Sequence, residues 1–464
     1  MLFSSLSFLF FFLPVVLLLY YPLRFRRWRN GVLLAASLLF YSWGEPRFLP
    51  VLLAAALIGW LGGMVMSFFP KQKKCFLVLS LVLLLGNLFL FKYLGFAAEN
   101  LAKLFGLPVA VKTLPLPLGI SFFTFQILSY VIDLYRGKIR LQKNPLRLLL
   151  YVSFFPQLIA GPIVRYQTVE EELVCRQESL EDLAAGFQRF VIGLAKKVLL
   201  ANSVAWIAES LYAGGDPSVY GSAALWLAML AYTLQIYYDF SGYSDMAIGL
   251  GQMFGFHFPE NFRHPYAALS VTEFWRRWHI SLSGWFRDYV YIPLGGNRVS
   301  RLRWIRNLMI VWSLTGLWHG ASWNFVLWGL YYGILLILEK LIWGKALEKL
   351  PVVLRWLYTF LIISLGWVLF NLTDFSVLLD VLVRMFRFSP SNWSMILADS
   401  PDLFNKILYV PIGLLLMFPL PKKLTDRSDS FPTALRCGLS VLLLILCVIW
   451  LLSSSYNPFI YFRF

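Results

Sequence analysis

The sequence predicts an all-α polytopic membrane protein, and three observations predict it. Of 464 residues, 59% are hydrophobic and only 14% are charged, against roughly 25% charged in ordinary soluble domains. The mean hydropathy is +0.68. The apolar residues fall in continuous runs of about 20, the length that crosses a bilayer as a helix. They do not alternate as the lipid-facing strands of a barrel would.

The net charge of +17 does not make this a nucleic-acid binder. The positive residues sit in clusters at the ends of apolar runs, the pattern of cytoplasmic membrane loops. Cys75, Cys175, Cys437 and Cys447 are scattered without a CxxC pair, so neither a disulfide framework nor a zinc site is indicated. No HExxH or GxSxG pattern occurs, and the chemistry is expected to be metal-free.

The elements follow in order. The first run lacks a basic leader and is followed by Arg24, Arg26, Arg27 and Arg29, so it reads as a span with Met1 outside rather than a cleavable signal. Gly31 to Trp43 goes out, Phe48 to Phe69 returns to the basic KQKK, and Phe76 to Phe91 goes out. Leu118 to Leu134 returns to the basic YRGKIRLQKNPLR. LLLYVSFFPQLIAGPIVRY is interrupted by Pro156, Gly161 and Pro162 and reads as bent or re-entrant, which is tolerated where backbone packs inside protein. A polar amphipathic segment, Gln167 to Gln188, precedes apolar stretches at Val191 to Leu211 and Ala223 to Tyr238. The second of these leads into YYDFSGYSDMAIGLGQMFGF, where Asp239, Ser241, Ser244 and Asp245 read either as functional groups or as the capped end of a helix.

Residues 257–306 carry eight arginines against three acids, a net +5, and three of the four histidines. The segment is too charged to span and too aromatic for a solvated linker. It is expected to form an interfacial helical layer on the cytoplasmic face. The twelve residues from Asn307 to Trp318 then enter the membrane, reaching only about 18 Å. A turn at GAS and a helix from Trp323 to Leu338 complete a hairpin whose bend places His319 deep in the membrane. Spans at Trp356 to Phe370 and Ile407 to Leu420 bracket an outer segment, and Leu439 to Leu452 takes the tail NPFIYFRF outside.

An intramembrane ionisable residue marks a functional site by default. A neutral His319 suits a general base that takes a proton from an alcohol attacking an acyl group; packing against a neighbouring carbonyl is the alternative. In FWRRWHISLSGWFRDYVYIPLGGNR, Arg276 and Arg277 suit phosphate contact. Trp275 and Trp278 suit either stacking on an adenine or interfacial anchoring. The same stretch supplies His279 and Asn297.

These blocks resemble the membrane-bound O-acyltransferase superfamily. FWRRWHISLSGWFRDYVYIPLGGNR followed by LTGLWHGASWNFVLWGLYYG is similar to its signature. PLGISFFTFQILSYVIDLYRG, FFPQLIAGPIVRY, IYYDFSGYSDMAIGLGQMFGF, PENF and the terminal FIYFRF resemble its alginate O-acetyltransferase branch. The resemblance implies one integral-membrane acyltransferase domain over residues 1–464, with its motif-bearing core at 117–334. It implies a ring of transmembrane helices with a thinned centre and a through-membrane tunnel. It assigns catalytic roles to His319 and His279, with Asp245, Ser244 and Asn297 in support. It implies a cytoplasmic thioester donor, commonly acetyl-CoA, and an extracytoplasmic polysaccharide acceptor reached through a separate O-acetyltransferase partner. The setting it implies is a bacterial inner membrane with lipid around the chain and no nucleic acid.

The tail at 456–464 carries a further expectation. Tyr461 is either part of an interfacial aromatic belt or a transient acyl acceptor that splits one transfer across the membrane into two. Two other functions remain open on sequence alone: D-alanyl transfer to teichoic acid from a carrier protein, and a polysaccharide export scaffold without chemistry.

Overall fold

The computed structural model describes residues 1–106, 114–212, 219–419, 432–453, 456–457 and 459–460. Among them no strand occurs, and six helices are long and apolar enough to cross a membrane. The chain divides into two compact units, residues 1–191 with 243–260, and residues 192–242 with 261–464.

The first unit opens with α1 (Phe8–Tyr20), α2 (Arg26–Gly44), α3 (Pro46–Phe68), α4 (Pro70–Phe105) and α5 (Ile120–Tyr135). α4 extends well beyond the run expected at residues 76–91, because a π-helical turn at Phe89–Tyr93 carries the helix on into Leu94–Phe105. α5 is buried on all sides from Ile120 to Val131. That burial takes in the polar Ser121, Thr124, Gln126 and Ser129, so α5 is a core helix of its unit. Gly119 enters it at φ 72°, and a Cβ there would lie 2.6 Å from the Leu158 carbonyl oxygen.

The stretch broken by Pro156, Gly161 and Pro162 is indeed bent. α6 (Pro145–Ser153) stops, one helical turn follows at Phe155–Leu158, and residues 159–164 are buried without regular helix. Phe155 is held edge-on against Phe12 at 5.3 Å between ring centroids.

The expected amphipathic segment at 167–188 is not one element. It holds two short turns, Tyr166–Val169 and Glu172–Cys175, and then the start of α7 (Leu180–Tyr212), which absorbs the apolar stretch at 191–211. Ser179 starts that helix: its Oγ accepts from the Asp182 amide at 2.9 Å and donates to the Asp182 carboxylate. α8 (Ser222–Met253) likewise runs fifteen residues past the expected end at Tyr238. The capped-end reading of Asp239 and Asp245 is therefore corrected. Both lie mid-helix, and each has a cation from α7: Lys197 for Asp239 at 2.7 Å, Arg189 for Asp245 at 3.0 Å. α7 and α8 are each divided between the two units.

The second unit contains two short helices, α9 (Val271–Arg277) and α10 (Ile280–Phe286), and then α11 (Arg301–His319) and α12 (Trp323–Leu347). α13 (Val352–Asn371), α14 (Phe375–Phe386), α15 (Leu403–Leu416) and α16 (Thr433–Ser453) complete it. The layer expected at residues 257–306 is helical only in pieces, and its last arginines belong to α11.

That last point corrects the hairpin. α11 has 19 residues, about 28 Å at 1.5 Å per residue, rather than twelve. Arg301, Arg303 and Arg306 in its first turns are exposed; Arg306 donates to Asn307 Oδ1 at 3.0 Å, and the buried Asn307 donates to the Leu294 carbonyl at 3.0 Å. α11 and α12 approach through glycine. A Cβ on Gly316 would lie 2.2 Å from the Phe325 carbonyl oxygen, and one on Gly329 would lie 2.2 Å from that of Trp312. Only hydrogen fits there, so the two helices are fixed in register.

Candidate active site

A cavity of about 220 Å³ lies against the hairpin in the second unit. One stripe of α11 lines it: Leu308, Val311, Trp312, Thr315 and His319. Their spacing of three, four, seven and eleven residues keeps them on one helical face. The opposite wall comes from α9, α10 and the turns after them, through Arg276, His279, Arg287 and Tyr291. Both candidate catalytic histidines thus border one mostly apolar space.

His319 is the last residue of α11 and is 7% exposed. The rings of Trp318, Trp328 and Phe370 stand edge-on to its imidazole at centroid distances of 5.0–5.3 Å. The Trp318 ring also meets His279, at 5.7 Å.

His279 is set differently. It takes the left-handed conformation, φ 44° and ψ 54°, in the break between α9 and α10. Its Nδ1 lies 3.2 Å from Asn261 Oδ1. That oxygen also accepts from the Ser281 amide at 3.2 Å and the Ser281 hydroxyl at 2.8 Å. An atom accepting from a backbone amide is the carbonyl oxygen, so Nδ1 of a neutral His279 carries the hydrogen and Nε2 keeps the lone pair. Nε2 is buried with no hydrogen-bond partner among the described residues. Burial pushes the His279 pKa down to about 3, so the ring is neutral at physiological pH.

The two arginines part company. Arg276 is exposed and lines the cavity. Arg277 is half-buried, pairs with Glu273 at 2.5 Å, and does not line it. Trp275 and Trp278 line the cavity as members of an aromatic core. Tyr332 stands edge-on to Trp275 at 4.7 Å, and Phe274 is stacked on Trp278 at 5.5 Å. Asn297 is exposed in the turn made by Gly295 and Gly296, both at positive φ, and is outside the cavity wall. Ser244 is buried and Asp245 is ion-paired to Arg189, which also reaches Glu260 at 2.6 Å; all four belong to the first unit. Tyr461 lies outside the described residues.

Four contributors are not assigned to the site by the sequence. Asn261 sits in PENF, eighteen residues before the histidine it orients. Arg287 and Tyr291 line the cavity from the basic stretch. Glu339, in what reads as a solvated basic flank, is 5% exposed. Its carboxylate accepts from the Val271 and Thr272 amides at 2.9 and 2.8 Å, closing the first turn of α9. This anchors the short helix that carries Trp275 and Arg276. The one available signal was an acid among lysines at the end of an apolar run.

The membrane-bound O-acyltransferase family profile (MBOAT) matches residues 139–379. The probable alginate O-acetylase AlgI of Azotobacter vinelandii is 40% identical over 508 residues, covering 100% of both chains. Its counterpart in Pseudomonas aeruginosa is 42% identical over 402 residues, covering 85% of this chain and 76% of that one. The peptidoglycan O-acetyltransferase of Helicobacter pylori is 33% identical over 525 residues, covering 100% of this chain and 98% of its own.

Proposed function

The chain belongs to the membrane-bound O-acyltransferase family, and from that premise we propose that it passes an acetyl group from a cytoplasmic thioester to the O-acetylation of an extracytoplasmic polysaccharide of the alginate type. It is an O-acyltransferase and a multi-pass membrane protein. The setting proposed is a bacterial inner membrane, the donor acetyl-CoA, and the receiver outside a separate O-acetyltransferase partner that delivers the group to the glycan. The names of the full-length relatives support a glycan acceptor over teichoic acid.

The observation that carries the reading is the single cavity bordered by His279, His319 and Arg276. Arg276 and Arg287 stand where donor phosphates would meet positive charge. The lone pair on His279 Nε2 accepts a hydrogen bond from the donor arm and so sets its position. His319 takes the proton of the attacking hydroxyl. The new C–O bond forms, the C–S bond breaks, and the imidazolium returns its proton to the departing thiolate. The carbonyl end of α11 carries partial negative charge, which favours that imidazolium while it lasts. Tyr461 is the proposed first acceptor, since a phenol ester passes its acyl group onward more readily than a sugar ester does.

The test is His319→Ala. General acid–base contributions are typically about 10²–10⁴-fold, so polysaccharide acetylation should fall by that factor while membrane insertion is unchanged. Acetylation above half the wild-type level at equal expression would remove His319 from the chemistry.

A further inference from the structure

In the second unit one buried ion pair holds the tail of the chain. Asp239 of α8 and Lys197 of α7 are paired at 2.7 Å, with side chains 2% and 4% exposed. Gly242 and Gly193 bring the two helices together, for a Cβ on Gly242 would lie 2.7 Å from the Gly193 carbonyl oxygen. Each charged residue stands about one turn from that crossing. Lys197 is the second residue of a π-helical turn, Lys196–Ala201, in which the ordinary helical repeat is broken. Such turns cluster at functional sites.

The pair does not serve the two helices alone. The second carboxylate oxygen of Asp239 accepts a hydrogen bond from the backbone amide of Ile460 at 2.8 Å. Lys197 Nζ donates to Asn202 Oδ1 at 2.8 Å, and Asn202 Nδ2 donates to Asn457 Oδ1 at 3.2 Å. The Lys197 ammonium lies 6.0 Å from the centroid of the Phe459 ring. The Tyr456 hydroxyl donates to Glu209. Phe459 and Ile460 are 5% and 3% exposed. Tyr456, Asn457, Phe459 and Ile460 are thus seated in protein and do not lie as an aromatic belt against lipid.

A buried charge pair rarely adds stability over apolar side chains of the same volume. Its presence here has a more specific use. An anchored carboxylate gives the tail amide an acceptor that no apolar residue offers. We propose that Lys197 and Asp239 are positioning residues: they form a latch that fixes the backbone of the tail at Ile460, immediately before Tyr461 in the chain, and so set where the acyl acceptor is presented. The functional half of this inference rests on the reading of Tyr461 as that acceptor.

The test uses the full-length protein in nanodiscs. The double variant Asp239→Leu with Lys197→Met removes both charges together, leaving neither buried alone. Hydrogen–deuterium exchange of the segment holding residues 456–460 should quicken by about tenfold or more, the scale of one charge-assisted hydrogen bond. Polysaccharide acetylation should fall by a similar factor while acetyl-CoA binding is unchanged. Asn457→Ala, on the rim, should quicken exchange to a lesser degree, and it serves alone should the double variant not fold. Tyr461→Phe should keep wild-type protection and lose transfer. Unchanged exchange in the double variant, or in Asn457→Ala if that is the one that folds, overturns the latch. Wild-type transfer by Tyr461→Phe overturns the acceptor reading and leaves the latch to stand or fall by exchange.

Discussion

Asn261 accepts a hydrogen bond from Nδ1 of His279 at 3.2 Å and thereby fixes which ring nitrogen faces the cavity with a lone pair. The same oxygen holds two groups of Ser281, so its own orientation is fixed as well. Replacing Asn261 by Leu frees the imidazole to rotate and to exchange tautomers. A neutral hydrogen bond is worth about 1 kcal/mol. The concentration of acetyl-CoA at half-maximal rate should therefore rise by roughly fivefold, measured in inside-out vesicles. Asn261→Asp, which keeps an acceptor in place, should rescue much of the loss.

Arg276 and Arg277 are neighbours with different surroundings, and their variants should separate. Arg276→Ala removes a charge from the cavity wall and should raise the donor concentration needed for half-maximal rate. Arg277→Ala breaks only a half-exposed pair with Glu273, worth about 0–1 kcal/mol, and should leave donor dependence unchanged. Equal effects from the two would remove the cavity from the account of donor binding.

Gly329→Ala tests the hairpin. The added methyl group meets the Trp312 backbone, which cannot yield as a flexible side chain does. Overpacking of this kind costs about 1–3 kcal/mol. The unfolding temperature in detergent should fall, and transfer should fall further than stability does, because Trp312 and His319 ride on the displaced helix.

Acid should act through His279. Its folded pKa of about 3 lies below the ordinary 6.5, so between those values the unfolded chain holds a proton that the folded chain refuses. Stability from this group is complete above about pH 6.5 and declines as pH falls toward 3. His257 has the opposite sign. Partial burial opposes its charge, but hydrogen bonds to Glu172 and Asp182 hold its pKa above the usual value, so its contribution is lost as pH rises. The difference between wild type and His279→Gln isolates the first effect: the variant should show a flatter acid limb in thermal unfolding.

Most spans were legible because hydropathy alone dictates them. The ends were not, for a physical reason. Arg301 and its neighbours read as the end of an interfacial layer, yet they form the exposed first turns of α11, where charge meets no apolar surroundings. Asp239 looked like a helix end because its partner, Lys197, is 42 residues away on another helix. His319 was visible as a rare polar group in apolar sequence, and His279 through the motif block that carries it. Asn261 was not, since nothing in PENF announces which side chain it will meet. Glu339 was hidden by the lysines around it.

The stripe on α11 has a consequence for which donors can be used. Leu308 and His319 both border the cavity, and the eleven residue steps from one to the other span about 17 Å of helix axis. The helix is in effect a measuring rod: a carrier held beside Leu308 delivers its cargo to the imidazole only if its arm covers that distance. A short thioester of the same acyl group has the same reactive bond but nothing to hold it in place, and it should react only at concentrations high enough to replace the missing arm.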